Sequence, residues 1–325
     1  MTLPSPNIPI YVLNNLFPHP DQPIVIDSDG VSHAIAPMTV QMSSQEHPYK
    51  GQLAYHYTNR AGWTSIIRSR TLWLSSYRSL LDPSEGTYGI SYVYKLLCLD
   101  NRCKEILKTE DDFLNLRNWL LHHLFSVKIY VCSFCLVPDD LNLWREYAQK
   151  DGVALGVPLN ALQQFADITP GLAVLRVFYR QNEHLKVIRP LVDEIGEHLV
   201  RTGPAAMRKR LPDRIAVNLL QSVMTIKHPA YSSENEVRVV SDRAVSGIHW
   251  RGKKTNRIEY TNLDICKCLD VLEEKYPVFP QVQTSPNFSP SDFQSISRMV
   301  VPPENRALHG MVHGSTIPLL WREAP

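Results

Sequence analysis

The chain contains no apolar run approaching the roughly 20 residues that a membrane-spanning helix needs. Met1 to Pro20 hold no basic segment leading into an apolar stretch, so no standard secretory signal and no membrane partner are expected, and the sequence reads as cytoplasmic. Cysteine is scarce. Six in 325 residues are too few for a disulfide scaffold and fit a reducing compartment, although delivery by a dedicated injection machine would leave the same signature. An excess of one charge is also lacking. The 34 Lys and Arg stand against 32 Asp and Glu, which removes the whole-chain electrostatic case for nucleic acid or an anionic membrane. The densest basic group, Arg201, Arg208, Lys209, Arg210 and Arg214, reads as a solvated helix face. G-x-S-x-G, H-E-x-x-H, P-loop and G-x-G-x-x-G motifs are all missing, so hydrolase, zincin, NTPase and Rossmann readings lose their strongest markers.

What is present is an ordinary globular composition with mixed periodicities. Residues 1–50 read as an irregular arm rich in Pro, Ser and Asn, 51–245 as the main domain, and 246–325 as a C-terminal extension packed on it. Leu53 to Thr58 and Thr71 to Ser75 read as strands. Between them, Trp63, Ile66 and Ile67 recur at helical spacing after a Thr58 or Asn59 cap. Helices are expected from about Tyr88 to Leu107 and Asp111 to Val127, then a strand from Ile129 to Leu136. Asp139 or Asp140 can cap a short helix that turns Leu141, Trp144 and Ala148 to one side, which makes Trp144 a packing anchor. Strands follow at Val153 to Val157 and Leu172 to Tyr179. Helices follow around Leu185 to Leu199 and up to Ile226, where His228-Pro229 disfavours helical geometry. Glu236 to Val240 reads as a strand and Ile265 to Tyr276 as a helix, while Pro277 to Pro303 carries little pattern. Strands and helices do not alternate strictly, so the class is α+β.

Two polar pairs could carry chemistry. Side chains two apart on a strand share a face, so His56 and Thr58 should point together, as should Glu234 and Glu236. Nearby carboxylates can take different protonation states when a site perturbs them. The plainer alternatives are a His56 bonded to a neighbouring carbonyl, a Thr58 that only caps, and a Glu236 paired with Arg238. Asp82 and Glu85 flank a turn that could equally be capping chemistry. Cys132 and Cys135 have C-x-x-C spacing, yet a strand would turn them to opposite faces, so no structural metal is expected.

Taken in order, Tyr55-His56-Tyr57-Thr58, Leu72-Trp73-Leu74-Ser75, Asp82-Pro83-Ser84-Glu85, Cys132-Ser133-Phe134, Leu143-Trp144-Arg145-Glu146-Tyr147-Ala148 and Glu234-Asn235-Glu236-Val237-Arg238 resemble the bacterial family catalogued as domain of unknown function 2971. The resemblance covers about residues 52 to 241, with Leu81 where that family usually has Asn and Cys135 where Ser is common. A more distant similarity joins the His-x-Thr strand and late glutamate strand to the ADP-ribosyltransferases. It implies a split mixed sheet with flanking helices and NAD as substrate. His56 and Thr58 would hold a ribose, Tyr77 or Tyr88 would stack on nicotinamide, Glu236 would act catalytically, and Glu234 would orient or deprotonate the acceptor. The leading expectation is therefore ADP-ribosyl transfer to an unidentified protein, nucleic-acid or small-molecule acceptor, of a kind used in bacterial defence or toxicity. The rivals are a non-catalytic ligand-binding or interaction module, and a metal-dependent nucleic-acid-processing enzyme with Asp82, Glu85, Glu234 and Glu236 as ligands.

Overall fold

A computed structural model describes residues 51–79, 84–126, 128–252, 257–272, 278–286, 288–300 and 312–317. The arm expected over 1–50 lies outside them. In chain order, β1 (Leu53–Thr58) runs into α1 (Arg60–Ser69) and β2 (Thr71–Ser76), a short 3₁₀ turn follows at Tyr77–Ser79, and α2 (Ser84–Leu99), α3 (Asn101–Lys104) and α4 (Glu110–Ser126) come next. Then come β3 (Tyr130–Cys135), the single turn α5 (Leu141–Leu143) continuing as a π-helical turn at Trp144–Ala148, β4 (Val153–Pro158), α6 (Leu159–Ile168) and β5 (Leu172–Arg176). The long α7 (Gln181–Thr202) and α8 (Asp213–Met224) precede β6 (Glu236–Ser241), β7 (His249–Arg251), β8 (Ile258–Asp264) and α9 (Ile265–Leu269). β9 (Gln281–Thr284), α10 (Pro290–Val300) and β10 (Val312–His313) complete the set. This is an α+β fold with one large open mixed sheet and flanking helices.

The elements group into two compact units. One takes the described residues of 77–129 and 177–232 and is helical; the other takes those of 37–76, 130–176 and 233–325 and holds the sheet. In the helical unit, the helix expected to reach Leu107 stops at Leu99 because Asp100 caps α3, accepting from Arg102 N at 2.8 Å. Gly89 permits α2 to meet α8 closely, since a Cβ there would stand 2.9 Å from the Val223 carbonyl oxygen.

In the sheet unit, Asn59 starts α1, its side chain accepting from Gly62 N at 3.1 Å, so Asn59 rather than Thr58 is the cap. The strands run in the order β10-β9-β4-β1-β3-β2-β8-β7, with β6 along the other side of β3 and β5 beyond β6. All pairs are antiparallel except β9 with β10. Period-two alternation divides the core. Ala54, Leu72, Leu74, Cys132, Phe134, Val237 and Val239 join one cluster with Trp63 and Ile67 of α1, while Leu53, Tyr55, Tyr57, Cys135 and Ala154 join the other with Trp144 and Ala148. Residues beyond 245 supply β7 to β10 to this same sheet. The helix expected to run to Tyr276 ends at Leu269, closed by a tight turn from Leu272 N to the Leu269 carbonyl at 3.0 Å.

Candidate functional site

Strand β3 is where the site is organised. Along one side it pairs with β6 from Tyr130 to Cys135. The other side is shared. β1 meets it at Cys135 through Tyr55, and β2 meets it at Val131 and Tyr130 through Ser75 and Ser76. Neither strand is in register with Cys132, Ser133 or Phe134, so β1 and β2 form a fork there, and His56 fills it. Its Nδ1 lies 3.0 Å from the Ser133 carbonyl oxygen, and its ring meets Phe134 edge-on at 5.8 Å between centroids. The carbonyl fixes Nδ1 as the protonated nitrogen and leaves the Nε2 lone pair as the ring's acceptor. Burial pushes the imidazole below its usual pKa, the Ser133 carbonyl opposes this, and the charge of Arg251 adds to the lowering, so the ring is neutral at pH 7.

Cys132 Sγ lies 3.7 Å from the same Nδ1. This pair is no thiolate and imidazolium, because burial raises the thiol to about 12 while the histidine shifts down. Thr58 shares the His56 face, and its side chain packs against the start of α1: a Cβ on Gly62 would stand 1.9 Å from Thr58 Oγ1. Cys132 and Cys135 enter different core clusters, as strand geometry requires.

The glutamates are placed differently from the expectation. Glu234 does not lie on the strand. It ends a 3₁₀ turn at Pro229–Glu234, and Asn235, with φ of 41°, reorients the chain before β6 begins at Glu236. Alternation on a strand therefore does not set its direction relative to Glu236. Register sets the face of Glu236. Tyr55 opposes Cys135 and Cys135 opposes Glu236, so these three share a face, and His56, one residue on, takes the other. Glu236 instead meets Arg238 in a bidentate ion pair, with Nε to Oε1 and Nη2 to Oε2 both at 2.8 Å and both residues buried. Glu234 is buried too, and the charges of Asp140, Glu234 and Glu236 help burial raise the Cys135 thiol to about 12.

Tyr77 and Tyr88 belong to the helical unit. Tyr77 is buried, and its hydroxyl packs on Gly86, where a Cβ would come within 2.0 Å. Tyr88 joins an aromatic group with Tyr92, His184 and His228 at centroid distances of 5.3, 5.8 and 5.5 Å. Asp82 and the side chain of Glu85 lie outside the described residues.

Sequence reasoning missed Arg251. It sits on β7 with its guanidinium carbon 4.8 Å above the Trp73 ring, and its Nη2 donates to Ser75 Oγ at 3.0 Å. Trp73 in turn meets Tyr260 at 4.8 Å. Ser75 opposes both Val131 and Tyr260, which gives these groups the face of β2 and β8 that carries Trp73. Residues 246–251 carry no pattern that would have marked a strand, so nothing in the sequence drew Arg251 toward His56.

Among the described residues no helix is long and apolar enough to cross a membrane, and no group of three or more His, Cys, Asp or Glu could hold a metal ion. No curated protein and no solved structure matches the chain. A model of the family described as "Protein of unknown function (DUF2971)" matches residues 143–239, from the π turn through β4, β5 and α7 into β6, and over that stretch the chain is similar to this family.

Proposed function

We propose that the fork between β1 and β2 holds the ribose of a nucleotide, NAD foremost, and that the reaction served is transfer of ADP-ribose to an acceptor. One observation carries the reading. His56 is held by a backbone carbonyl in the one place where β3 lacks a strand partner on that side, neutral and with Nε2 as an acceptor suited to a ribose hydroxyl. In the reaction the bond between ribose C1′ and the nicotinamide nitrogen breaks, its electron pair leaving with nicotinamide. An acceptor oxygen or nitrogen then bonds C1′ and gives up its proton. Positive charge develops on the sugar, and a carboxylate would stabilise it. Glu236 is the residue assigned that part by the resemblance, and its partner Arg238 has to be displaced or shared for it to serve.

A second reading, nucleotide binding without turnover, is favoured by that same pair: Arg238 compensates the Glu236 charge, and Glu236 occupies the face opposite His56. Nicotinamide release and NAD affinity, measured together, separate the readings. The transferase requires release by the wild type with a mixed protein and nucleic-acid acceptor pool, and weaker NAD binding with slower release in His56→Ala. NAD binding with no release leaves the binding module. Absence of both ends the nucleotide reading.

A further inference from the structure

Arg238, buried in the sheet, meets the carboxylate of Glu236. Arg251 does not. Among the described residues its guanidinium has a hydroxyl, Ser75 Oγ at 3.0 Å, and an aromatic face, Trp73 at 4.8 Å, and no carboxylate. Burial lowers its pKa, while nearby Tyr260 and Cys132 pull the other way. Stacking on Trp73 and bonding to Ser75 fix the plane of the guanidinium, and a fixed plane is what bidentate recognition of an oxyanion uses. The position is also informative. Arg251 bonds Ser75, which pairs with Val131 at the edge of the unpaired stretch of β3, so it stands beside the fork on the face opposite His56, and its charge reaches both His56 and Cys132. The hydroxyl-bearing side chain of Ser133 is exposed on the Ser75 face of β3, within the unpaired stretch.

We propose that Arg251, held by Trp73 and Ser75, is the anion-binding wall of the fork, and that the ligand is a phosphorylated one whose phosphate or pyrophosphate meets the guanidinium while its sugar reaches His56. The assignment of the sugar rests on the nucleotide reading above; the assignment of the anion does not. A lysine would supply the charge but not the planar fork.

Calorimetric titration with inorganic pyrophosphate, NAD and nicotinamide riboside, which carries no phosphate, tests it on the wild type, R251Q, R251K and H56A. The expected result is that R251Q weakens NAD and pyrophosphate by about tenfold or more and R251K by less, while nicotinamide riboside is unaffected by either. H56A should instead weaken NAD and nicotinamide riboside and leave pyrophosphate alone. Pyrophosphate binding that is lost in R251Q, without any binding of nicotinamide riboside, keeps the anion wall and removes the ribose assignment. NAD affinity unchanged in R251Q overturns the anion wall and leaves the ribose assignment standing, and so does equal loss of NAD and nicotinamide riboside in an R251Q protein with a wild-type melting temperature. If R251Q melts early, S75A, which removes only the hydroxyl that orients the guanidinium, is titrated in its place. S75A should weaken pyrophosphate and spare nicotinamide riboside; no change in pyrophosphate affinity overturns the proposal.

Discussion

Glu236 and Arg238 show what a buried ion pair demands of a mutational test. Glu236→Gln keeps shape and removes charge, yet it leaves the Arg238 guanidinium, 2 % exposed, without its bidentate partner. Breaking such a pair from one side costs about 3–5 kcal/mol, whereas replacing both members with neutral groups of similar volume costs far less. Chemical denaturation should therefore find Glu236→Gln strongly destabilised, and the double variant Glu236→Gln with Arg238→Met closer to wild type. A Glu236→Gln protein of wild-type stability would contradict this account. Trp144 is the second residue with a defined cost. It is fully buried, meets Tyr57 edge-on at 4.6 Å and donates Nε1 to Asp139 Oδ1 at 2.7 Å. Trp144→Ala should lose about 3–5 kcal/mol in the same measurement. The burial of Trp144 was legible in its spacing with Ala148. The shared direction of His56 and Thr58 was legible too, because period two is local. The face of Glu236 was not, since it depends on the registers of β1 with β3 and of β3 with β6, which no single strand encodes.

Among elements, the π turn at Trp144–Ala148 and the short strand β10 are tied together by one carboxylate. Asp139 accepts from Trp144 Nε1, from Ser315 Oγ at 2.7 Å, and from Thr316 N and Oγ1 at 2.8 and 3.0 Å. Asp139→Ala should strand the buried indole N–H at a cost of about 1–3 kcal/mol and release residues 312–317. Hydrogen exchange should report this as faster exchange at Thr316, with β3 and β6 still protected. Equal loss of protection across the sheet would show that Asp139 acts globally. Two of the strands that escaped sequence reading share a physical trait with this anchor: beside apolar Leu263 and Val282 they bury polar side chains. β9 buries Gln281 and Gln283, which bond Tyr55 Oη at 2.6 Å and the Gly314 carbonyl at 2.6 Å, and β8 buries Thr261, whose hydroxyl accepts from Val245 N and Ser246 N. Hydrophobic alternation marks a strand poorly when buried, hydrogen-bonded polar residues interrupt it.

Across the whole molecule, buried and half-buried histidines set the response to acid. His56, His123, His184, His198 and His313 all lie below the ordinary imidazole pKa, chiefly through burial. His123 is lowered to about 4, and its Nε2 accepts from Leu211 N at 3.1 Å, a bond that protonation destroys. A folded-state pKa below the unfolded one means that the unfolded chain takes up protons first as pH falls. Stability is therefore full above about 6.5 and declines from there toward 4, by roughly 3 kcal/mol for His123 alone. Melting temperatures between pH 7.5 and 4.5 should fall, and His123→Asn should flatten the decline. A curve flat over this window would refute the assignment of neutral, buried rings. The carboxylates Asp100 and Asp112, whose pKa values are lowered by their hydrogen bonds, add their loss only further into acid.

The interleaving of the two units has a consequence for synthesis. β2 pairs with β8, a strand made about 190 residues later, and the whole helical unit is translated between them. As the chain leaves the ribosome, β1 and β2 emerge with apolar Leu53, Tyr55, Leu72 and Leu74 uncovered, long before β8 exists to complete the sheet. The helical unit can finish within that interval. The early strands cannot, so until β8 is made they carry the exposed apolar surface and unpaired edges from which misassembly starts.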